Sequence, residues 1–147
     1  MKFIADCMFG KLARWLRMAG YDTAYVWPKE REKLISNARI ENRIIITSAR
    51  KIKYQYEKVF IITDIFAEKQ FVKVVKEFNL DFESAFTLCT KCGCSLVKTD
   101  KESIIKKIPS DVAAWCDEYF LCENCGSIYW KGSHYEKIKE VFLKLKT

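Results

Sequence analysis

KFIADCMFGKLARWLR, residues 2–17, places a short apolar run directly before a carboxylate and a basic helical segment. The run before Asp6 predicts a buried strand, and the spacing of Leu12, Trp15 and Leu16 predicts an amphipathic helix. Asp6 therefore falls at the junction of a strand and a helix. A carboxylate at this position either caps the helix or contributes to a site at the strand end.

The predicted helix carries cations and no acid. Lys11, Arg14 and Arg17 follow one another at intervals of three residues, so we expect them to share one face. A second basic cluster begins at Arg50, just after another apolar run. With a formal net charge of +7, these clusters favour nucleic acid as a partner, because basic surfaces attract phosphates. A solvated surface without a partner is the alternative.

The pattern of strand followed by helix continues along the first half of the chain. The predicted further strands are the apolar runs TAYVW (23–27), RIIITS (43–48) and KVFIIT (58–63). Helical segments are expected from Pro28 to about Asn42, over 49–57 and over 67–79. Short connections in such an alternation predict an α/β fold with a parallel sheet flanked by helices.

Polar side chains stand near the ends of three predicted strands. Asp6 ends the first strand, Ser48 follows the third, and Asp64 ends the fourth. Carboxyl ends of neighbouring parallel strands meet at one edge of a sheet, where functional crevices lie. Carboxylates gathered there suit Mg²⁺ or Mn²⁺, which can promote phosphodiester cleavage. Each aspartate taken alone can also be a helix cap.

The second half contains two CxxC pairs, Cys89 with Cys92 and Cys122 with Cys125. Paired thiolates at this spacing predict a tetrahedral, structural zinc site. Cys94 competes with Cys92 as a ligand, because both lie in the same short stretch. We prefer Cys92, since a CxxC turn lets backbone N–H groups approach the sulfurs.

The only histidine, His134, opens the last predicted helix and either contacts a phosphate or is simply exposed. No apolar run is long enough to cross a membrane. The first residues do not resemble a signal peptide, because Asp6 interrupts them. Seven cysteines without an export signal favour a reducing compartment. We therefore expect a cytoplasmic protein.

DCMFGKLARWLRMAGYDT (6–23), RIIITSAR (43–50), the CxxC pairs and YWKGSHYEKI (129–138) together resemble the Mut-seven C-terminal RNase family. This resemblance implies a PIN-like nuclease domain, residues 1–86, followed by a zinc-ribbon module with a C-terminal helix, residues 87–147. It also implies metal-dependent RNA cleavage at acidic residues. Asp6 matches the family's first-strand aspartate, and Gly132 to His134 match its terminal motif.

One position departs from the family pattern, because Ala49 stands where an acid is usual after the third strand. A methyl group cannot bind a metal, so Asp6 and Asp64 remain as the strand-end acids. Two functions follow. The first is a metal-dependent ribonuclease with RNA held by Lys11, Arg14, Arg17, Arg50 and His134. The second is a non-catalytic RNA-binding protein with a degenerate acidic site.

Overall fold

The computed structural model describes residues 1–146. By its internal contacts the chain divides into two compact units, Met1–Gly93 and Cys94–Thr147. The functional division expected from the sequence, 1–86 and 87–147, stays a prediction. No helix in the described part is long and apolar enough to cross a membrane.

A parallel sheet organises the first unit. Its strands are β1 (Lys2–Ala5), β2 (Asp22–Tyr25), β3 (Ile44–Thr47) and β4 (Val59–Ile61). The spatial order is β2-β1-β3-β4, and every pair is parallel. The central strands are apolar on both faces because helices cover both sides. The predicted α/β fold with a parallel sheet is thus confirmed.

The helices of this unit are shorter than the sequence pattern predicted. They are α1 (Gly10–Met18), α2 (Leu34–Glu41) and α3 (Ala67–Phe78). Shorter 3-10 segments cover Cys7–Phe9, Pro28–Lys33 and Arg50–Tyr54. The single helix expected from Pro28 therefore begins as a 3-10 segment, and the one expected over 49–57 is a 3-10 segment alone.

Two helices pack on one face of the sheet and one packs on the other. Helices α1 and α3 meet through Trp15 and Phe71, whose ring centroids are 5.3 Å apart. On the opposite face, Leu34 and Ala38 of α2 pack in one buried cluster with Ile45 of β3. Burying an aliphatic side chain of this size contributes about 1.5–3 kcal/mol, so these contacts hold β1 and β3 at the centre.

The turn after α1 requires a glycine. Gly20 has a φ of +94°, and a Cβ at this position would lie 2.3 Å from the carbonyl oxygen of Ser84. Any other residue would be strained by its backbone conformation and by this contact. Gly20 thus ends α1 and brings the chain directly into β2.

The second unit contains a small antiparallel sheet in the order β5-β6-β7. Its strands are β5 (Val97–Thr99), β6 (Tyr119–Leu121) and β7 (Ile128–Tyr129). Its helices are α4 (Lys101–Ile104), α5 (Ser110–Trp115) and α6 (Ser133–Lys146). Tyr119 is fully buried, and its hydroxyl donates to the Cys116 carbonyl at 2.7 Å.

Candidate functional site

The carboxyl ends of β1, β3 and β4 lie side by side. The backbone N–H of Asp6 donates to the Ile46 carbonyl at 2.9 Å, which extends the pairing of β1 with β3. The N–H of Ile62 donates to the Thr47 carbonyl at 3.0 Å, which extends the pairing of β3 with β4. The sheet edge predicted to carry a site therefore exists, with Asp6 at its centre.

Asp6 is fully buried, and hydrogen-bond donors surround its carboxylate. Oδ1 accepts from the Cys7 backbone N–H at 2.8 Å and from Arg31 Nε at 3.0 Å. Oδ2 accepts from the Thr47 hydroxyl at 2.7 Å and from Arg31 Nη2 at 3.0 Å. A carboxylate offers about four lone-pair positions, so these contacts occupy its acceptor capacity.

The charge of Asp6 is stabilised where it lies. Burial acts to raise the pKa of this carboxyl, but hydrogen bonds from Arg31, Thr47 and the Cys7 N–H outweigh burial and lower the pKa below its ordinary value. Asp6 is therefore an ionised carboxylate at neutral pH. Arg31 supplies the opposite charge and covers one side of the Asp6 carboxylate. The side chain of Arg31 is itself 45% exposed.

The neighbouring position gives no further ligand. Ala49 contributes a methyl group, and its backbone N–H donates to the Thr47 hydroxyl oxygen at 3.0 Å. Mg²⁺ requires near-octahedral oxygen coordination at 2.0–2.1 Å. The donor set present here consists of one carboxylate already bound by N–H and O–H groups. These residues, as arranged, do not fit a divalent catalytic ion.

Asp64 also has an internal partner. The residue lies beyond the end of β4, which stops at Ile61, so the expectation that it ends the strand is incorrect. Its Oδ2 is 2.5 Å from Lys73 Nζ of α3, and the contact with this ammonium group lowers the pKa of Asp64. The catalytic roles predicted for Asp6 and Asp64 stay predictions, and each acid is neutralised by a cation of its own chain.

Arg17 departs from the expected basic face of α1. Lys11 and Arg14 are exposed, whereas only 7% of Arg17 is exposed. At 3.6 residues per turn, two steps of three residues rotate a side chain by about 120°. That rotation places Arg17 on the buried face of the helix, beside Ala13 and Leu16.

Three carbonyl oxygens hold the buried Arg17 side chain. Its Nε donates to Thr23 at 2.8 Å, at the start of β2. Its Nη1 donates to Thr90 and Lys91, each at 3.0 Å. Those two residues form the middle of the first CxxC pair. Arg17 therefore connects α1 to the backbone of that cysteine turn, which the sequence did not reveal, and is not available on the exposed basic face.

The two CxxC turns have the same backbone geometry. The Gly93 N–H donates to the Cys89 carbonyl at 2.8 Å, and the Gly126 N–H donates to the Cys122 carbonyl at 2.8 Å. Both glycines have a positive φ, +81° and +79°. A glycine directly after each CxxC thus closes the turn in a conformation that other residues rarely adopt.

The sulfur atoms of Cys89, Cys92, Cys122 and Cys125 all lie within 4.8 Å of one another. A tetrahedral zinc ion with Zn–S bonds of about 2.3 Å separates its sulfurs by about 3.8 Å, so four thiolates at this spacing fit Zn²⁺. Within residues 1–146, no other set of three or more potential metal-binding side chains is as close. Cys92 belongs to the cluster and Cys94 does not.

The remaining residues predicted to bind RNA lie on the surface. Arg50 is exposed at the start of the 3-10 segment that follows β3. His134 is exposed in the first turn of α6, just after Gly132, whose carbonyl accepts the Glu136 N–H at 3.1 Å. Their contact with RNA stays a prediction.

Comparison with known protein families gives a match over nearly the whole chain. The model of the Mut7-C RNAse domain matches residues 1–142. Neither the curated proteins nor the solved structures gave a match. An RNAse domain indicates a ribonuclease-like function, with RNA as substrate or partner. The motifs of the first helix, the parallel sheet and the four-cysteine cluster are consistent with this match. The chain belongs to the Mut7-C RNAse domain family.

Proposed function

We propose that this chain is an RNA-binding protein of the ribonuclease family whose acidic strand-end site does not support metal-dependent cleavage. The observation that carries this proposal is the pairing of Asp6 with Arg31, because the guanidinium contacts both carboxylate oxygens. A cation from the chain itself therefore neutralises the acid that a divalent ion would require. Ala49 adds no second carboxylate.

RNA is supported as the partner by the family and by the distribution of charge. Lys11 and Arg14 are exposed on α1, and Arg50 is exposed after β3. Both basic regions follow strands whose carboxyl ends share one sheet edge. Contacts between such side chains and phosphates release counterions, so binding strengthens as the salt concentration falls.

A second candidate function is metal-dependent ribonuclease activity at Asp6. The family match favours it, and so does the position of an ionised carboxylate at the carboxyl end of a parallel sheet. This function requires Arg31 to release the carboxylate, because no acceptor position of Asp6 is otherwise open.

Cleavage of labelled single-stranded and hairpin RNA separates the two candidates. The variants are the original chain and Asp6→Asn, each across a Mn²⁺ series. We expect both proteins to bind RNA and neither to cleave it above a protein-free control. Mn²⁺-dependent cleavage by the original chain that Asp6→Asn abolishes would establish the second candidate instead.

RNA binding itself is tested through its salt dependence. Lys11→Glu with Arg14→Glu removes two exposed cations from α1, and we expect weaker binding with a shallower salt slope. Lys69→Glu with Lys76→Glu, on the exposed face of α3, is the matched control for net charge. The proposal fails if the original chain binds no RNA at low salt.

A further inference from the structure

A solvent-open groove of about 500 Å³ lies beside the 3-10 segment Arg50–Tyr54. The residues that line it are Arg50, Lys53, Tyr54, Ile61 and Thr63. Two of these are cations, one is aromatic, and two come from the end of β4 and the residues beyond it. The groove therefore combines positive charge with an aromatic surface at the carboxyl edge of the parallel sheet.

Tyr54 is the most exposed large hydrophobic side chain of the groove. Its relative exposure is 92%, although a tyrosine ring usually covers part of its apolar surface by packing. Within the described residues, the ring has no ring partner and its hydroxyl has no hydrogen-bond partner. Both faces of the ring are thus open to a planar ligand.

The cations beside Tyr54 are also open to a ligand. Arg50 and Lys53 are exposed, and across residues 1–146 no carboxylate lies within 4.0 Å of either one. A 3-10 helix has three residues per turn, so side chains three residues apart lie on the same side. Arg50 and Lys53 therefore present two charges on one side of the segment, immediately before the exposed ring.

We propose that this groove binds single-stranded RNA, with an unpaired base stacked on Tyr54 and the adjoining phosphates paired with Arg50 and Lys53. The proposal rests on the proposed RNA-binding function and names the form of RNA that the chain prefers. In a duplex, neighbouring base pairs cover the faces of each base. Only an unpaired base offers a free face to an aromatic side chain.

The test compares conservative and disruptive changes at one position. The probe is a fluorescein-labelled oligouridine, measured free and annealed to its complement. Tyr54→Leu removes the aromatic face, and Tyr54→Phe keeps it without the hydroxyl. Phe66→Leu is the matched control, because Phe66 is 66% exposed outside this groove.

We expect Tyr54→Leu to weaken single-strand binding by about 5- to 150-fold, as for the loss of one stacked base. Tyr54→Phe and Phe66→Leu should stay within about twofold of the original affinity, and the duplex should be little affected. Arg50→Gln with Lys53→Gln should reduce the salt slope for single strands by about 1.4, which corresponds to two phosphate contacts.

Two results would overturn the inference while leaving RNA binding intact. One is unchanged single-strand affinity in Tyr54→Leu, and the other is an equal loss for single-stranded and duplex probes. If the original chain binds neither probe, the proposed function fails and this inference fails with it. Circular dichroism checks that each variant is folded, which we expect because the changed side chains are exposed.

Discussion

Arg31 donates to both oxygens of the buried Asp6 carboxylate, at 3.0 Å from Nε to Oδ1 and 3.0 Å from Nη2 to Oδ2. This two-point contact is the geometry in which a guanidinium pairs best with a carboxylate. It links β1 to the 3-10 segment before α2 and closes the centre of the sheet edge. The state of this pair decides whether Asp6 can bind anything else.

The pair should make stability depend on pH. The folded-state pKa of Asp6 is below its ordinary value of 3.8. Its stabilising effect is therefore complete above the unfolded-state pKa and is lost as the pH falls through the folded-state pKa. Asp6→Asn removes this effect, and we expect a loss of about 1.5–3 kcal/mol at pH 7. Urea unfolding from pH 7 to pH 2 should show the difference shrinking towards acid, and a constant difference would contradict this prediction.

Removing Arg31 and restoring the missing acid should create a metal site. In Arg31→Gln with Ala49→Asp, the carboxylate of Asp6 loses its cation and gains an acidic neighbour across Thr47. We expect Mn²⁺ to bind the zinc-loaded double variant at least tenfold more tightly than the zinc-loaded original, as followed by electron paramagnetic resonance. Adding Asp6→Asn is the control and should abolish the gain. Equal Mn²⁺ affinity in all three proteins would show that no metal site forms at this position.

The four-cysteine cluster should hold one zinc ion per chain. Protein prepared in zinc-replete medium should contain one equivalent, and Cys122→Ser should lose it, because three thiolates bind more weakly than four. Cys94→Ser is the matched control and should retain the metal, since Cys94 is exposed outside the cluster. Elemental analysis measures the content. A loss in Cys94→Ser equal to that in Cys122→Ser would show that the ligand set is different.

Arg17 should stabilise the first cysteine turn through the hydrogen bonds of its planar guanidinium group. Arg17→Met removes three hydrogen bonds to carbonyls, and we expect a loss of about 2–3 kcal/mol of unfolding free energy. Zinc should also transfer faster to a chelator, because the turn at Thr90 and Lys91 is no longer held. Arg17→Lys keeps the charge but not the planar set of N–H donors. It should therefore retain only part of the stabilisation that Arg17 provides.

Arg14→Met is the control for Arg17→Met, because Arg14 lies exposed on the same helix. It should change stability by less than about 0.5 kcal/mol and leave zinc transfer unchanged. Zinc transfer that is equally fast in the original chain and in Arg17→Met would show that Arg17 supports only the helix packing.

The features that the sequence predicted well depend on nearby residues. The apolar runs predicted β1 and β3, and the CxxC spacing predicted the cysteine cluster, because each pattern is contained in a short stretch. The prediction for Arg17 was wrong. The three-residue spacing of the cations does not determine which side of the helix faces the core, and that orientation buries the last of them.

The role of Arg31 is a feature that the sequence pattern did not predict. It lies among alternating charges in PKEREK (28–33), where nothing distinguishes it from its exposed neighbours. Its partner is 25 residues away, and the partner carbonyl of Arg17 at Thr90 is 73 residues away. Contacts over such distances depend on how strands and helices assemble, and the local spacing of apolar and charged residues does not reveal them.

The order β2-β1-β3-β4 also has a consequence for how the chain folds as it is made. Strand β1 is an interior strand, and it leaves the ribosome before either of its two neighbours. At about 5–20 residues per second, the roughly 40 residues between Ala5 and Ile44 take about 2–8 s to synthesise. During that interval the edge of β1 that will pair with β3 stays unpaired, and the amphipathic α1, which packs on β1, can cover one of its apolar faces.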